Sequence, residues 1–202
     1  MPPASEALCG EAGRRKPKDL SNVMGVRSMS GEAREWLGYV VVAPFPILLL
    51  WAMATDVSRF QIPNRIPIIL FCAFPVATFS LGQDLSEDLI IILQQCGIAA
   101  AFLFVGMLLF WRGFVGGGDV KLLSAVVPWL APAQLPSYLF LMAVLGGILG
   151  LLALALRRLP VPARLSDNGW VKAFKESNKI PYGVAIGCAG LITLPNLPLL
   201  TN

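Results

Sequence analysis

Long apolar runs separated by short polar links make up most of the chain from residue 39 onward. A helix needs roughly 20 residues, at about 1.5 Å each, to cross a bilayer core of about 30 Å. The runs therefore predict an all-α fold, a polytopic membrane helix bundle with about six transmembrane helices. The fourth run is too short to cross unless it begins near Asp119. The predicted spans cover approximately residues 39–55, 66–81, 89–111, 122–133, 138–156 and 182–200.

Residues 1–38 have a different pattern. They are polar, carry six basic and five acidic side chains, and contain no apolar run of signal-peptide length. This composition predicts an N-terminal tail with little stable structure, followed by one membrane domain over residues 39–202. Met24 and Met29 leave open a translation start further downstream.

Basic residues alternate between the predicted links. The first and third links carry two each, the fifth carries six, and the second and fourth carry none. Because cytoplasmic links accumulate Lys and Arg, the odd links are predicted to face the cytoplasm. An even number of spans then places the N-terminus outside, where the six basic residues of the tail fit poorly, so the orientation rests on the links.

Composition narrows the chemistry that is available. Only 14% of residues are charged and 56% are hydrophobic, with a mean hydropathy of +0.70, whereas soluble domains carry about a quarter charged residues. The absence of histidine excludes Ser-His-Asp and Cys-His nucleophile systems and histidine zinc sites. The four cysteines include no CxxC pair, so we expect no metal and no cofactor. The net charge of +4 is spread out and gives no reason to expect nucleic-acid binding.

Two aspartates adjoin apolar spans on the predicted cytoplasmic side, Asp56 and Asp119. A carboxylate near the bilayer interior costs about 2.5–3.5 kcal/mol on insertion scales, so its presence there requires a reason. Asp56 ends a helix, where a negative charge opposes the helix dipole; the structural alternative is a boundary charge paired with Arg59. Asp119 follows three glycines and is suited to cap the fourth helix, which is the structural alternative for that residue.

Together the two aspartates indicate a catalytic site. Carboxylates on separate helices at one membrane face can meet, and like-charge repulsion then leaves the pair with one proton near neutrality. One member can deprotonate a water while the other donates a proton, which is acid–base peptide hydrolysis. Gly116, Gly117 and Gly118 would let the backbone bend and let an extended substrate approach closely.

The residues around both aspartates resemble the two active-site motifs of the type IV prepilin peptidases, which are membrane aspartyl proteases of the GxGD type. The first motif is DVSRFQIPN, with Asp56 and Asn64, and the second is GGGDVKLL, with Asp119 and Lys121. A later segment, KIPYG at residues 179–183, resembles a family segment that precedes the last span.

The resemblance implies a protease of the bacterial inner membrane. It would cleave leader peptides from pilin-like precursors at the cytoplasmic face, with Asp56 and Asp119 as the catalytic pair. Its partners would be the precursor and the lipid bilayer. The compact form is similar to Flp/Tad-type pilus peptidases, and the missing cysteine-rich domain puts N-methylation in doubt. Motif support or substrate binding would come from Gly116, Gly117, Gly118, Lys121 and Asn64.

Two other functions remain open from the sequence. A small proton-coupled transporter would place carboxylates near the middle of its spans, whereas these two lie at span ends. A non-catalytic subunit of a pilus or secretion assembly would survive the loss of either aspartate.

Glycine pairs at four-residue spacing occur in the last two spans, at Gly146 and Gly150 and at Gly183 and Gly187. Small residues at this spacing let helices approach closely. The spacing predicts packing inside the bundle, with homo-oligomer formation as the alternative use.

Overall fold

The computed structural model describes residues 31–81, 85–158 and 181–201. These residues form helices joined by short turns and contain no β-strand, which confirms the predicted all-α class. Residues 1–30 of the predicted 1–38 tail and the basic link over 159–180 lie outside the described residues. The remaining tail residues, 31–38, are helical, because α1 begins inside the predicted tail. The α-helices are α1 (Gly31–Val42), α2 (Pro44–Arg59), α3 (Arg65–Leu81), α4 (Leu85–Trp111), α5 (Gly117–Val126), α6 (Leu135–Arg158), α7 (Tyr182–Thr193) and α8 (Pro198–Thr201).

Four helical stretches in the described part of the chain are long and apolar enough to cross a membrane. The shorter apolar helix α3 comes in addition, and α5 is shorter still. The fourth predicted span is therefore not a crossing helix: α5 ends at Val126, and a 3₁₀ turn that contains Pro128 follows. A proline inside an α-helix removes a backbone donor, which accounts for the early end. The four stretches are Trp36–Arg59, Leu85–Trp111, Pro132–Ala155 and Tyr182–Leu200.

The ends of α2 follow from its local sequence. α1 and α2 meet at Ala43, whose backbone keeps helical angles, and Pro44 begins α2. Proline is tolerated at this position since the first N–H groups of a helix have no partner within it. At the other end, Phe60 adopts a left-handed conformation with φ of 51° and stops the helix.

An aromatic cluster holds the middle of the bundle together. Trp129 is fully buried, and its ring lies 5.1 Å from that of Phe45 and 5.9 Å from that of Phe74, measured between centroids. Its indole N–H donates to the carbonyl of Leu70 at 3.1 Å, so the polar atom of this buried side chain is satisfied. These contacts fix the chain after α5 against α2 and α3, and thereby hold α5 in place.

Glycines bring α7 close to its neighbours. A Cβ at Gly187 would collide with Met53 of α2, and a Cβ at Gly146 of α6 would collide with Tyr182 of α7. The predicted use of these small residues for packing inside the bundle is therefore confirmed at both positions. The result places the first turn of α7 beside the last turn of α2, where Asp56 lies.

Candidate active site

Asp56 lies in the last turn of α2 and is buried, with 5% of its surface exposed. The backbone amides of Gly183 and Val184, in the first turn of α7, face its carboxyl group. Because α7 has no side-chain cap and follows Pro181, these amides would otherwise lack a partner. The positive end of the α7 dipole thus compensates the unfavourable position of Asp56 at the end of its own helix.

The contact between α2 and α7 at this level requires a glycine. A Cβ at Gly183 would lie 2.7 Å from Oδ2 of Asp56 and 2.8 Å from Cδ1 of Ile62, closer than real Cβ contacts allow. That Oδ2 atom is buried and has no hydrogen-bond partner among the described residues. The site therefore holds a buried carboxylate oxygen whose acceptor capacity is unused.

Asp119 lies in the first turn of α5 rather than at its cap. The N-cap is Gly116, in extended backbone conformation, and Asp119 is the third helical residue. The structural alternative, in which Asp119 is the cap residue of this helix, is therefore wrong. Its carboxyl group instead reaches back to the backbone amide of Gly116, as an acidic residue does at the third position of a helix.

The three glycines before Asp119 serve close packing. Their backbone lies outside the left-handed region, so the expected freedom to bend is not what the fold uses. A side chain on any of them would press on a neighbour. A Cβ at Gly116, Gly117 or Gly118 would lie, respectively, 2.7 Å from Asp119 Oδ2, 3.2 Å from Phe110 Cε2 and 3.3 Å from Ile62 Cβ.

The structure brings Asp56 and Asp119 into one site. Burial, and after it the negative charge of Asp56, raises the pKa of Asp119 to about 7, against a smaller opposing effect of the Gly116 amide. Asp119 lies outside the four stretches long enough to cross the membrane. A carboxyl group with this pKa is protonated in about half of the molecules at pH 7, so the pair can carry both a proton donor and a proton acceptor.

Two further motif residues bind each other. The Nζ atom of Lys121 donates a hydrogen bond to Oδ1 of Asn64 at 3.0 Å. This bond ties α5 to the segment that begins α3. The sequence suggests that Lys121 biases the ionisation of Asp119 or contacts headgroups, and that Asn64 bonds to backbone; their mutual hydrogen bond is not predicted.

Sequence reasoning also misses the role of Ile62 and the contact of Gly183 with Asp56. Ile62 packs against Gly118 as well as Gly183, so its side chain lies between the first turns of α5 and α7. Both residues belong to segments that carry the family resemblance, IPN and KIPYG, and that membership was the available signal.

No group of three or more His, Cys, Asp or Glu side chains that could hold a metal occurs among the described residues. A mostly apolar cavity of about 440 Å³ lies between α3, α4 and α5. It is lined on α5 by Lys121, Ser124 and Ala125. Asp119 lies about 200° around the helix from Lys121, so this cavity is on the opposite face of α5 from the carboxyl pair.

The fold and the site define a helical membrane protein with a paired-carboxylate centre built at the last turn of α2 and the first turn of α5, beside the first turn of α7. The chain belongs to the type IV leader peptidase family, whose sequence profile matches residues 43–151. The match includes both aspartates and the glycine run, while KIPYG lies beyond it. No curated protein and no solved structure matches the chain. Membership makes it a leader peptidase, hence a protease, and its apolar helices make it an integral membrane protein.

Proposed function

We propose that this chain is an aspartic endopeptidase that removes leader peptides from pilin-like precursors, with Asp56 and Asp119 as its catalytic pair. The observation that carries the proposal is that the Asp119 carboxyl group is buried and lies within the electrostatic influence of Asp56, so that burial first and the charge of Asp56 second raise its pKa to about 7. Structural carboxylates at helix ends do not need such an arrangement. Carboxyl pairs that share one proton are how aspartic proteases carry out acid and base chemistry together.

In the proposed mechanism, Asp119 holds the shared proton and Asp56 is ionised. Asp56 takes a proton from a water molecule as the water oxygen bonds to the carbonyl carbon of the scissile peptide. Asp119 gives its proton to the carbonyl oxygen, which yields a neutral gem-diol. The C–N bond then breaks as the amine takes the proton from Asp56, and a hydroxyl of the diol returns a proton to Asp119. Each group ends in its starting state, so turnover needs no cofactor.

The unpartnered Oδ2 atom of Asp56 supports its role as the base. This atom is buried and has no hydrogen-bond partner among the described residues, so a water or substrate can donate to it without displacing a protein donor. The amides of Gly183 and Val184 that face the same carboxyl group stabilise its ionised form.

The proposed location is the inner membrane of a bacterium, with the site facing the cytoplasm. The support is the distribution of basic residues, which predicts that the links that follow Asp56 and precede Asp119 face the cytoplasm. Leader peptides of pilin-like precursors are exposed on that side. The proposed substrate is a Flp/Tad-type pilin precursor.

The proposal is tested by co-expressing the chain with a Flp-type pilin precursor and following the precursor by gel shift and N-terminal sequencing. Wild type is compared with Asp56→Asn and Asp119→Asn, and membrane insertion is checked for all three. The proposal expects one new N-terminus with wild type and intact precursor with both variants. Processing that persists in either variant would contradict the catalytic pair and favour the assembly-subunit function.

The pH dependence of cleavage follows from the protonation of Asp119. Since its pKa is about 7, the proton needed by the carbonyl oxygen is lost as the pH rises through that value. We expect kcat/KM to fall about tenfold per pH unit on the alkaline side. The measurement is cleavage by purified protein in detergent between pH 5 and 9, with each sample returned to pH 6.5 to show that the loss reverses. A rate that stays level to pH 9 would contradict this assignment.

A further inference from the structure

The loop between α2 and α3, residues 60–64, touches every helix that contributes to the carboxyl pair. It begins at the end of α2, where the backbone N–H of Phe60 donates to the carbonyl oxygen of Asp56 at 2.9 Å. Phe60 is also the described non-glycine residue with positive φ, so the chain turns sharply away from α2 at this point. The loop is thus fixed to the backbone of Asp56 itself.

The middle of the loop lies between two helix starts. The Ile62 side chain packs against Gly118, which directly precedes Asp119, and against Gly183, whose amide faces Asp56. The Cβ positions of these two glycines are 3.3 and 2.8 Å from Ile62 atoms, so a side chain at Gly183 would collide with Ile62 and one at Gly118 would press on it. One aliphatic side chain therefore lies between the first turns of α5 and α7 at this level.

The end of the loop makes a second contact with α5. Oδ1 of Asn64 accepts the hydrogen bond from Lys121 at 3.0 Å. Gly118 and Lys121 lie one residue before Asp119 and two residues after it. The loop consequently holds the first turn of α5 on both sides of Asp119, once through an apolar contact and once through a polar contact.

We propose that the 60–64 loop sets the relative position of the two carboxyl groups, with Ile62 as the spacer and the Asn64–Lys121 hydrogen bond as the tether. Both are positioning residues, since neither is placed on the reacting atoms. This inference rests on the proposed catalytic pair. The interaction between two charges falls with their separation, so the distance between the carboxyl groups affects the protonation of the pair. A displacement of about 1 Å can also lower the rate about 100-fold. The loop therefore acts on catalysis by setting this distance.

The test compares Asn64→Ala and Ile62→Ala with wild type by kcat, KM and the pH profile of cleavage. We expect kcat to fall about 10- to 100-fold with KM nearly unchanged. For Asn64→Ala we also expect the alkaline limb of the profile to move to lower pH, because loss of the tether separates the two carboxyl groups and weakens the effect of the Asp56 charge on Asp119. For Ile62→Ala, which removes the spacer, we expect the limb to move to higher pH as the two groups approach. Gln61→Ala is the matched control, since Gln61 is an exposed residue of the same loop.

Conservative and paired variants separate positioning from general destabilisation. Ile62→Val should retain most of the activity, and Lys121→Arg should keep a donor for Asn64. Asn64→Ala combined with Lys121→Met should be no worse than the poorer single variant, because both remove the same hydrogen bond. Asn64 is exposed, so its variants are expected to fold even where Ile62→Ala does not.

The outcomes distinguish this inference from the function on which it rests. If Asp56→Asn or Asp119→Asn still cleaves, the catalytic pair is wrong and the loop has no such role. If both are inactive while Asn64→Ala matches Gln61→Ala in kcat and pH profile, the positioning inference alone fails. A lower kcat for Asn64→Ala with an unmoved pH profile would also overturn it, since that is what mere destabilisation produces.

Discussion

Asparagine in place of either Asp56 or Asp119 is expected to lower kcat for precursor cleavage by about 10⁴-fold. The amide has nearly the shape of the carboxyl group, but it can neither accept a proton from water nor hold the proton that the carbonyl oxygen needs. The loss should be similar for the two positions, because each turnover uses both groups. Activity is measured by single-turnover cleavage of purified precursor, and Glu87→Gln, at an exposed carboxylate of α4, is the control.

The Asp119→Asn variant is expected to be more stable than wild type although it is inactive. Burial and the charge of Asp56 raise the pKa of Asp119 from 3.8 to about 7, so the folded state binds this proton more tightly than the unfolded state. Wild-type stability therefore falls as the pH rises between these two values, and the neutral amide escapes that loss. We expect a higher unfolding midpoint for Asp119→Asn than for wild type at pH 8, and a smaller difference at pH 5. An inactive variant that is also less stable at pH 8 would point to misfolding instead of lost chemistry.

The span pattern was predictable because hydropathy is a local property. A run such as residues 89–111 has the length and composition of a crossing helix whatever its neighbours are, and the structure extends it only to Leu85. The fourth apolar run does not form a crossing helix, and the reason is also local. Pro128 ends the α-helix early, and Trp129 then packs into the aromatic cluster.

The candidate site was predictable only in its residue types. The negative charge of Asp56 at the end of α2 is unfavourable when that helix is considered alone. The amides that compensate it belong to α7, more than a hundred residues away in the chain. Hydrophobic periodicity carries no information about which helix end faces which. The roles of Ile62 and Gly183 depend on that same arrangement, and so does the Asn64–Lys121 hydrogen bond. The sequence also did not identify the cap residue of α5, because an aspartate suits both the cap and the third helical position.

Replacing Gly183 with alanine is expected to inactivate the site, although both aspartates remain unchanged. In Gly183→Ala the new Cβ would lie 2.7 Å from Asp56 Oδ2 and 2.8 Å from Ile62 Cδ1, so α7 or Asp56 must shift. Such a shift moves the amides away from the Asp56 carboxyl group and changes its distance from Asp119. We expect kcat to fall about 100-fold, the size associated with a displacement of about 1 Å in an active site.

The matched control for this variant is Gly147→Ala, since a Cβ at Gly147 in α6 meets nothing within 4 Å. Alanine favours a helix more than glycine does, so both variants gain about the same intrinsic helix stability, and any difference between them comes from the contact with Asp56 and Ile62. Adding Ile62→Ala to Gly183→Ala should restore little, because that change removes one collision and leaves the one with the carboxylate. If Gly183→Ala cleaves as fast as Gly147→Ala, the close approach of α7 to Asp56 is a matter of packing, and the amides of α7 do not hold the carboxylate that the mechanism requires.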